Sequence, residues 1–238
     1  MKQRIAVLAA ALTAVAAIGV GSATAAGGTW TLNVVHGISL PAAANVGVCA
    51  KPSSSTSWLK IIDAFNFKDV RTFPGLAEGN WDAKVVAPGA DCSSAPALGL
   101  GFTNAAVPAG ANVSVVAYET TSGGVSLGVK INNTAPTKWN SARLTAYHVA
   151  NAPAVDIRGG LILWIPTLFA NVSATQGGDR ELFPASYTVA ITPAGAGIFK
   201  VVKLARLSLP SNTNTIVYAV GSLQAGTFSL VTQQIAVG

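Results

Sequence analysis

Three segments from the first half of the chain return, in the same order, in the second. Leu32-Asn-Val-Val-His36, followed by Pro41, is matched by Leu144-Thr-Ala-Tyr-His148, followed by Pro153. Trp81–Gly89 is matched by Tyr187–Gly195, and Pro108–Ala117 by Pro210–Ala219. The offset shrinks from 112 to 106 to 102 residues, so the second copy is slightly shorter but keeps its landmarks in order. A chain written twice in this way has to close two cores of one kind, each with its own hydrophobic interior. Asn132–Lys138 has the composition of a linker, and the chain divides around it into residues 26–135 and 136–238.

Within the first copy, Trp30–His36, Asn45–Ala50, Trp81–Val86, Leu98–Thr103, Asn112–Tyr118 and Val125–Ile131 read as strands. Pro88-Gly89, Pro108-Ala-Gly110 and Gly123-Gly124 separate some of them, and short strands between such turns are the mark of a sandwich or barrel. Gly75–Asn80 reads as a turn, while Trp58–Phe67 fits a short helix and a strand equally well. Charged residues make up 10% of the chain and hydrophobic ones 50%. That leaves little for salt-bridged amphipathic helices and enough apolar surface for a real core. The expectation is an all-β chain of two tandem Ig-like or transthyretin-like sandwiches, with about seven strands each.

The first residues carry Lys2 and Arg4, then an apolar run from Ile5 to Val20, then Gly21-Ser-Ala-Thr-Ala25. A charged start, a short apolar stretch and an Ala-x-Ala end spell a secretory signal peptide over residues 1–25. The apolar run is shorter than the ~20 residues a spanning helix needs, so no membrane span is expected in the mature chain. Without Lys2 and Arg4 the formal net charge falls from +6 to +4, and the remaining basic residues form no run. A nucleic-acid partner, which would need a clustered basic patch, is not expected. In an exported chain the two cysteines, Cys49 and Cys92, default to a disulfide. Two Cys and two His without close spacing make no zinc pattern, so no metal or cofactor is expected.

Candidate chemistry is sparse. Gly124-Val-Ser-Leu-Gly128 matches a nucleophile elbow, but Ser126 is followed by a strand-like run rather than a helix. The downstream His148 precedes Asp156, the reverse of the order that fold requires. The second copy has Thr227-Phe-Ser-Leu-Val231 at this place, without the glycines. His36 and His148 sit at equivalent positions. That favours a structural role, a ring nitrogen tying the following turn to the strand, over a catalytic one. Asp156 is the natural partner of His148, yet the first copy has Gly47 in its place. Asp179 and Glu181 read as solvated acids in a turn, and no paired-carboxylate arrangement recurs in both copies. Of the tryptophans, Trp81 matches Tyr187 and points to a core or corner role. Leu161-Ile-Leu-Trp-Ile165 is apolar throughout and stops at Pro166, as an apolar edge would. Leu161, Leu163, Trp164 and Ile165 are therefore the candidate interaction surface, and no catalytic residue is assigned.

The run His148-Val-Ala-Asn-Ala-Pro-Ala-Val-Asp-Ile157 resembles the opening of the DUF4397 family of bacterial extracellular domains. Phe183-Pro-Ala-Ser-Tyr-Thr-Val-Ala-Ile-Thr-Pro-Ala-Gly195 is similar to a later segment of that family, with Ser186 where its pattern has Gly. The resemblance is strongest over 142–232 and looser over 30–131. It implies a secreted or surface-exposed β-sandwich, often in tandem, with no established chemistry. The expected function is non-catalytic: an exported cell-envelope or extracellular protein for binding, adhesion or scaffolding, with an envelope protein or polysaccharide as partner. Two alternatives stand beside it. One is a self-associating subunit of a surface polymer, paired through Leu161–Ile165 or the C-terminal strand. The other is a secreted hydrolase using Ser126, or His148 with Asp156.

Overall fold

The computed structural model describes residues 28–161 and 165–238; the stretch read as a signal peptide lies outside the described residues. The first copy contributes β1 (Thr29–Gly37), β2 (Asn45–Pro52), β3 (Leu59–Asn66), β4 (Val70–Ala77), β5 (Gly79–Val86), β6 (Gly101–Val107), β7 (Asn112–Glu119) and β8 (Val125–Ile131). The second contributes β9 (Ala142–His148), β10 (Val155–Gly160), β11 (Thr167–Val172), β12 (Gly177–Leu182), β13 (Ala185–Pro193), β14 (Lys203–Leu209), β15 (Thr213–Val220) and β16 (Ser229–Ala236). The sheets run β4-β1-β7-β8 and β3-β2-β5-β6 in the first copy, β12-β9-β15-β16 and β11-β10-β13-β14 in the second. Adding eight to every strand number converts one copy into the other. The parallel pair β1/β7 is reproduced as β9/β15.

This all-β fold resolves the two architectures expected. An Ig sandwich separates its strands as ABED and CFG; here strands one, four, seven and eight share a sheet, with the first beside the seventh. That is the transthyretin-like arrangement. Each copy has eight strands rather than seven. The extra one is β4, whose last three residues fall in the stretch Gly75–Asn80 read as a turn; Gly75 adopts a positive φ of 74° inside it, and its pairing with β1 shifts register between Trp30 and Leu32. Trp58–Phe67 resolves as the strand β3. Leu98 and Leu100 pair with Val85 through backbone bonds before β6 proper begins at Gly101.

Strand parity builds two cores and a seam. In the first copy Leu32, Val34, Val46, Val48, Phe65, Val85, Val113 and Val115 fill the space between its sheets. In the second, Leu144, Ala146, Val155, Ile157, Val189, Ile191 and Val217 do the same. The alternate residues of the central strands, Val35, Val116, Ile216, Tyr218 and Val220, form a third cluster with Val149, Val231 and Ile235. It joins the β4-β1-β7-β8 sheet to the β12-β9-β15-β16 sheet, so the molecule is four sheets deep. Strands β1, β7, β9 and β15 are thus buried on both faces, which is why their sequences run apolar instead of alternating.

A polar network crosses the same seam. Asn33 Nδ2 donates to Asn112 Oδ1 at 2.7 Å, and Asn132 Nδ2 donates to Asn112 Oδ1 and to Ser114 Oγ, both at 2.7 Å. From the second copy, Tyr218 Oη donates to Ser114 Oγ at 2.7 Å and Gln233 Nε2 donates to Asn33 Oδ1. Burial pushes the Tyr218 phenol well above its ordinary pKa, so it stays a donor. The linker is held by Arg143, almost wholly buried, whose guanidinium donates to the carbonyls of Asn133 (3.2 Å) and Ala135 (2.8 Å) and to Glu181 (3.2 Å). Asp179 and Glu181 are therefore not turn acids: they stand on β12 and face Arg143, which pairs with both. Their i, i+2 spacing places them on one face of a strand.

Candidate functional site

The residues that could carry acid–base chemistry are not assembled for it. Ser126 is the second residue of β8, opposite Tyr118, with strand rather than helix after it. Both histidine rings are fully buried at strand ends. His36 Nδ1 accepts from the Ile38 amide at 3.3 Å, and His148 Nε2 lies 3.0 Å from the Pro153 carbonyl oxygen. Each ring thus ties its strand to the turn that follows. Burial lowers both pKa values; carbonyl groups (Ala43 beside His36, Pro153 and Ala152 beside His148) and the charge of Asp69 near His36 oppose the shift. The expected partnership of His148 with Asp156 is not formed. Asp156 points to the other face of its sheet, where its carboxylate accepts from the Asn171 amide (2.8 Å) and the Gly195 amide (3.1 Å). Among the described residues no group of three His, Cys, Asp or Glu could hold a metal.

Asp156 belongs to a device that differs between the copies. In β2, Gly47 and Cys49 pair with Val86 and Lys84; in β10, Asp156 and Arg158 pair with Thr192 and Ala190. Counted from Trp81 and Tyr187, these are matching positions, so Cys49 and Arg158 stand at the same place on the outward face. In the first copy Cys49 is bonded to Cys92 (Cα–Cα 5.8 Å), which pins the long β5–β6 connection across that face. Val86 packs beside the disulfide and Trp58 against both. Lys51 and Lys84 lie over the Trp58 ring, 5.4 and 4.7 Å from its centroid. In the second copy Arg158 donates to the Ala196 carbonyl at 3.1 Å, and Asp156 holds Gly195. The shorter β13–β14 connection is thereby drawn over the sheet, and Ala190 and Thr192 are buried beneath it.

What differs is the surface left on top. On the second copy Phe199 is 99% exposed at the crest of the β13–β14 connection, and Leu204, on β14, is 60% exposed. Val201 and Leu161 are exposed as well. Leu161 and Ile165 lie in the β10–β11 connection rather than on an edge strand: β10 ends at Gly159-Gly160, and the Gly159 amide closes the turn on the Pro166 carbonyl at 3.0 Å. Leu163 and Trp164 lie outside the described residues. Phe199, Val201 and Leu204 did not emerge from the sequence reading. The signal available was a phenylalanine two residues after the glycine-rich turn Gly195-Ala-Gly197, still within the connection, where a bulky apolar residue has no turn-forming reason to be.

The tryptophans do not make a common face. Trp30 and Trp81 are buried edge to face at 5.9 Å, and both indole N–H groups donate to the Ala77 carbonyl. Tyr187 repeats the Trp81 contact, its hydroxyl donating at 3.0 Å to Phe183, likewise four residues upstream. Trp139, on the linker, is 95% exposed. The first sandwich also encloses a cavity of about 40 Å³ between Leu32, Val48, Phe102 and Leu127; its counterpart in the second is about 10 Å³. Ile157, Val189 and Ile191 there replace the smaller Val48, Ala83 and Val85.

Among the described residues no helix is long and apolar enough to cross a membrane. The model of a family described as a domain of unknown function (DUF4397) matches residues 30–158. That span takes in the whole first copy and the His148–Ile157 run but not Phe183–Gly195, so the match lies mainly in the first copy rather than over 142–232. No curated protein matches the sequence. Among solved structures, the chain is similar to the tip fimbrial protein Mfa3 of Porphyromonas gingivalis (8% identity, 89% of this chain and 100% of that one, TM-score 0.28). It is also similar to the TIE protein of Bacillus anthracis (12% identity, 80% of this chain, TM-score 0.26), of which it spans 33%. A third is a CBM26-family module of Eubacterium rectale Amy13K, solved with maltoheptaose (10% identity, 85% of this chain and 97% of that one, TM-score 0.25). At these scores the three likenesses carry no functional argument.

Proposed function

This chain belongs to the DUF4397 family, and on that premise we propose that it is a non-catalytic exported protein. It binds an envelope component, protein or polysaccharide, through the outer surface of its second sandwich. The observation that carries this reading is the exposure of Phe199, Val201 and Leu204 on and just after the β13–β14 connection. Large apolar side chains left exposed close together in sequence on an otherwise well-packed domain mark a contact site, and an aromatic among them is the usual anchor. The disulfide fits an oxidising compartment outside the cytoplasm, in keeping with the leader-like N-terminal sequence. Two buried histidines, each committed to backbone, supply no exposed general base.

The test is co-sedimentation of the purified protein with isolated envelope fragments and with envelope polysaccharide. Wild type is expected in the pellet with at least one of them. A Phe199→Ser/Leu204→Ser variant, with an unchanged circular dichroism spectrum, is expected in the supernatant. Wild type that stays in solution with every fraction overturns the proposal.

A further inference from the structure

The last strand of the inner sheet of the first copy, β8, is paired with β7 and, among the described residues, with nothing on its other side. The Thr120 amide donates to the Gly124 carbonyl and the Asn132 amide to the Asn112 carbonyl. Even-numbered residues of this segment therefore turn their backbone groups toward β7. By the alternation of an antiparallel ladder, the N–H and C=O groups of Val125, Leu127, Val129 and Ile131 point outward. Their side chains share one face too. Leu127, Val129 and Ile131 stand opposite Ala117, Val115 and Val113, all core residues. Yet Val129 is 43% exposed and Ile131 69% exposed, because the facing sheet does not reach over them.

The second copy shows that the fold does not require apolar residues there. In β16, Leu230, Thr232 and Gln234 stand opposite Ala219, Val217 and Thr215, the same places in the ladder. Thr232 and Gln234 are exposed just as Val129 and Ile131 are, and they are polar. Of the other edge strands of the first sandwich, β4 carries Pro74 and a register shift, β3 pairs through register shifts, and β6 carries a register shift and Asn104 at φ 55°; in the second, β12 carries Asp179, Arg180 and Glu181. Such bulges and charges are how edges are kept from pairing. Strand β8 has no bulge, no proline and one lysine, and Lys130 is turned away from the edge to donate to the Thr175 carbonyl at 2.6 Å.

We infer that β8 is the pairing edge for a second copy of this chain, joined antiparallel about a two-fold axis through Gly128. The sequence Val125-Ser-Leu-Gly-Val-Lys-Ile131 is complementary to itself in that register. Leu127 then lies opposite Val129 of the second copy and Val125 opposite its Ile131, all on the apolar face. Ser126 lies opposite Lys130, so no like charges meet. Gly128 faces its own equivalent at a non-hydrogen-bonded position, where the two Cα atoms come to about 4.5 Å. Because the same patch is used by both partners, the assembly closes at two. It is independent of the binding surface on the second copy, and it differs from a surface polymer, which needs an open-ended contact.

The experiment is sedimentation equilibrium of the purified protein, disulfide intact, over a wide concentration range. A dimer is expected for wild type. Val129→Thr with Ile131→Gln, which copies the pair the second sandwich already tolerates, is expected to weaken dimerisation at least tenfold with an unchanged circular dichroism spectrum. Register is read by oxidative cross-linking. Gly128→Cys, whose added Cβ meets only the Tyr118 ring at ordinary contact distances of 3.5 Å and more and the Val116 carbonyl at 3.9 Å, is expected to link to its counterpart. Ser126→Cys, about 14 Å from its own across the axis at ~3.4 Å per residue, is not. A wild type that is monomeric throughout, or that grows beyond two, overturns the inference. So does a double variant that dimerises as wild type does, or a cross-link through Ser126→Cys.

Discussion

The hydroxyl of Tyr218 reaches out of the second sandwich and donates to Ser114 of the first, at 2.7 Å and out of contact with solvent. Behind it stands a chain of side-chain amides, so losing the hydroxyl removes a donor at a buried acceptor without opening a cavity. Tyr218→Phe should destabilise the protein by about 1–2 kcal/mol, the cost of one buried hydrogen bond. Urea unfolding at neutral pH would measure it. A variant as stable as wild type would mean that this hydrogen bond adds nothing, and that Gln233 and the apolar contacts hold the seam without it.

The disulfide joins residues 43 apart. In the chain-entropy account, closing such a loop stabilises the folded state by about 4 kcal/mol. Cys49→Ala/Cys92→Ala should therefore lower the urea midpoint markedly. The effect on the first copy should exceed that of Arg158→Met on the second, since Arg158 holds its loop by one hydrogen bond to Ala196 and a pairing with Asp156 at 3.8 Å.

Arg143 is a buried cation that holds three linker carbonyls and Glu181. Arg143→Leu leaves those acceptors, and a carboxylate, without their donor. A loss of roughly 1–3 kcal/mol is expected, the cost of leaving buried carbonyl acceptors without their donor; the carboxylates of Glu181 and Asp179 keep contact with water. Limited proteolysis within 132–141 should accelerate in the variant; unchanged cleavage would argue that the linker is held elsewhere.

His36 and His148 both have folded pKa values depressed below 6.5, mainly by burial. The unfolded chain therefore binds their protons first as pH falls. Their contribution to stability is full above about pH 6.5 and is lost progressively below it, by up to about 1.4 kcal/mol per pH unit for each ring. Unfolding free energies between pH 7.5 and pH 5 should fall with this slope, in a window above the ordinary range of carboxylates. A His36→Gln/His148→Gln variant should flatten it.

The repeat, the β class and the disulfide were legible because each leaves a local trace: collinear landmarks, short strands between Gly and Pro, and a cysteine pair in a chain with a leader-like start. The corner role of Trp81 was readable from its match to Tyr187. Strand β4 was missed because Pro74-Gly75 carries turn chemistry, although the flanking residues still pair with β1 through a bulge. Asp179 and Glu181 were misread for a related reason: Gly177-Gly178 looks like a turn, and the partner that orders the acids, Arg143, lies far away in sequence. The same distance hid Asp156. Proximity suggested His148, while strand parity sends the two side chains to opposite faces. The apolar patch around Phe199 depends on a loop laid across a sheet, which no periodicity reports.

The seam has a consequence for the order in which the molecule is made. A chain that emerges N-terminus first presents the first sandwich before the second, and the seam face of the first must wait for its mate. Asn33, Asn112, Asn132 and Ser114 are already hydrogen-bonded to one another within the first copy. The nascent face is thus a pre-set lock of amides rather than a bare apolar sheet. Two copies of one topology run a standing risk of misassembly, each offering the other's sheet a plausible mate. Only the sheet that brings Tyr218 and Gln233 to the right depth completes that lock. The duplicated protein distinguishes its halves through these few polar atoms.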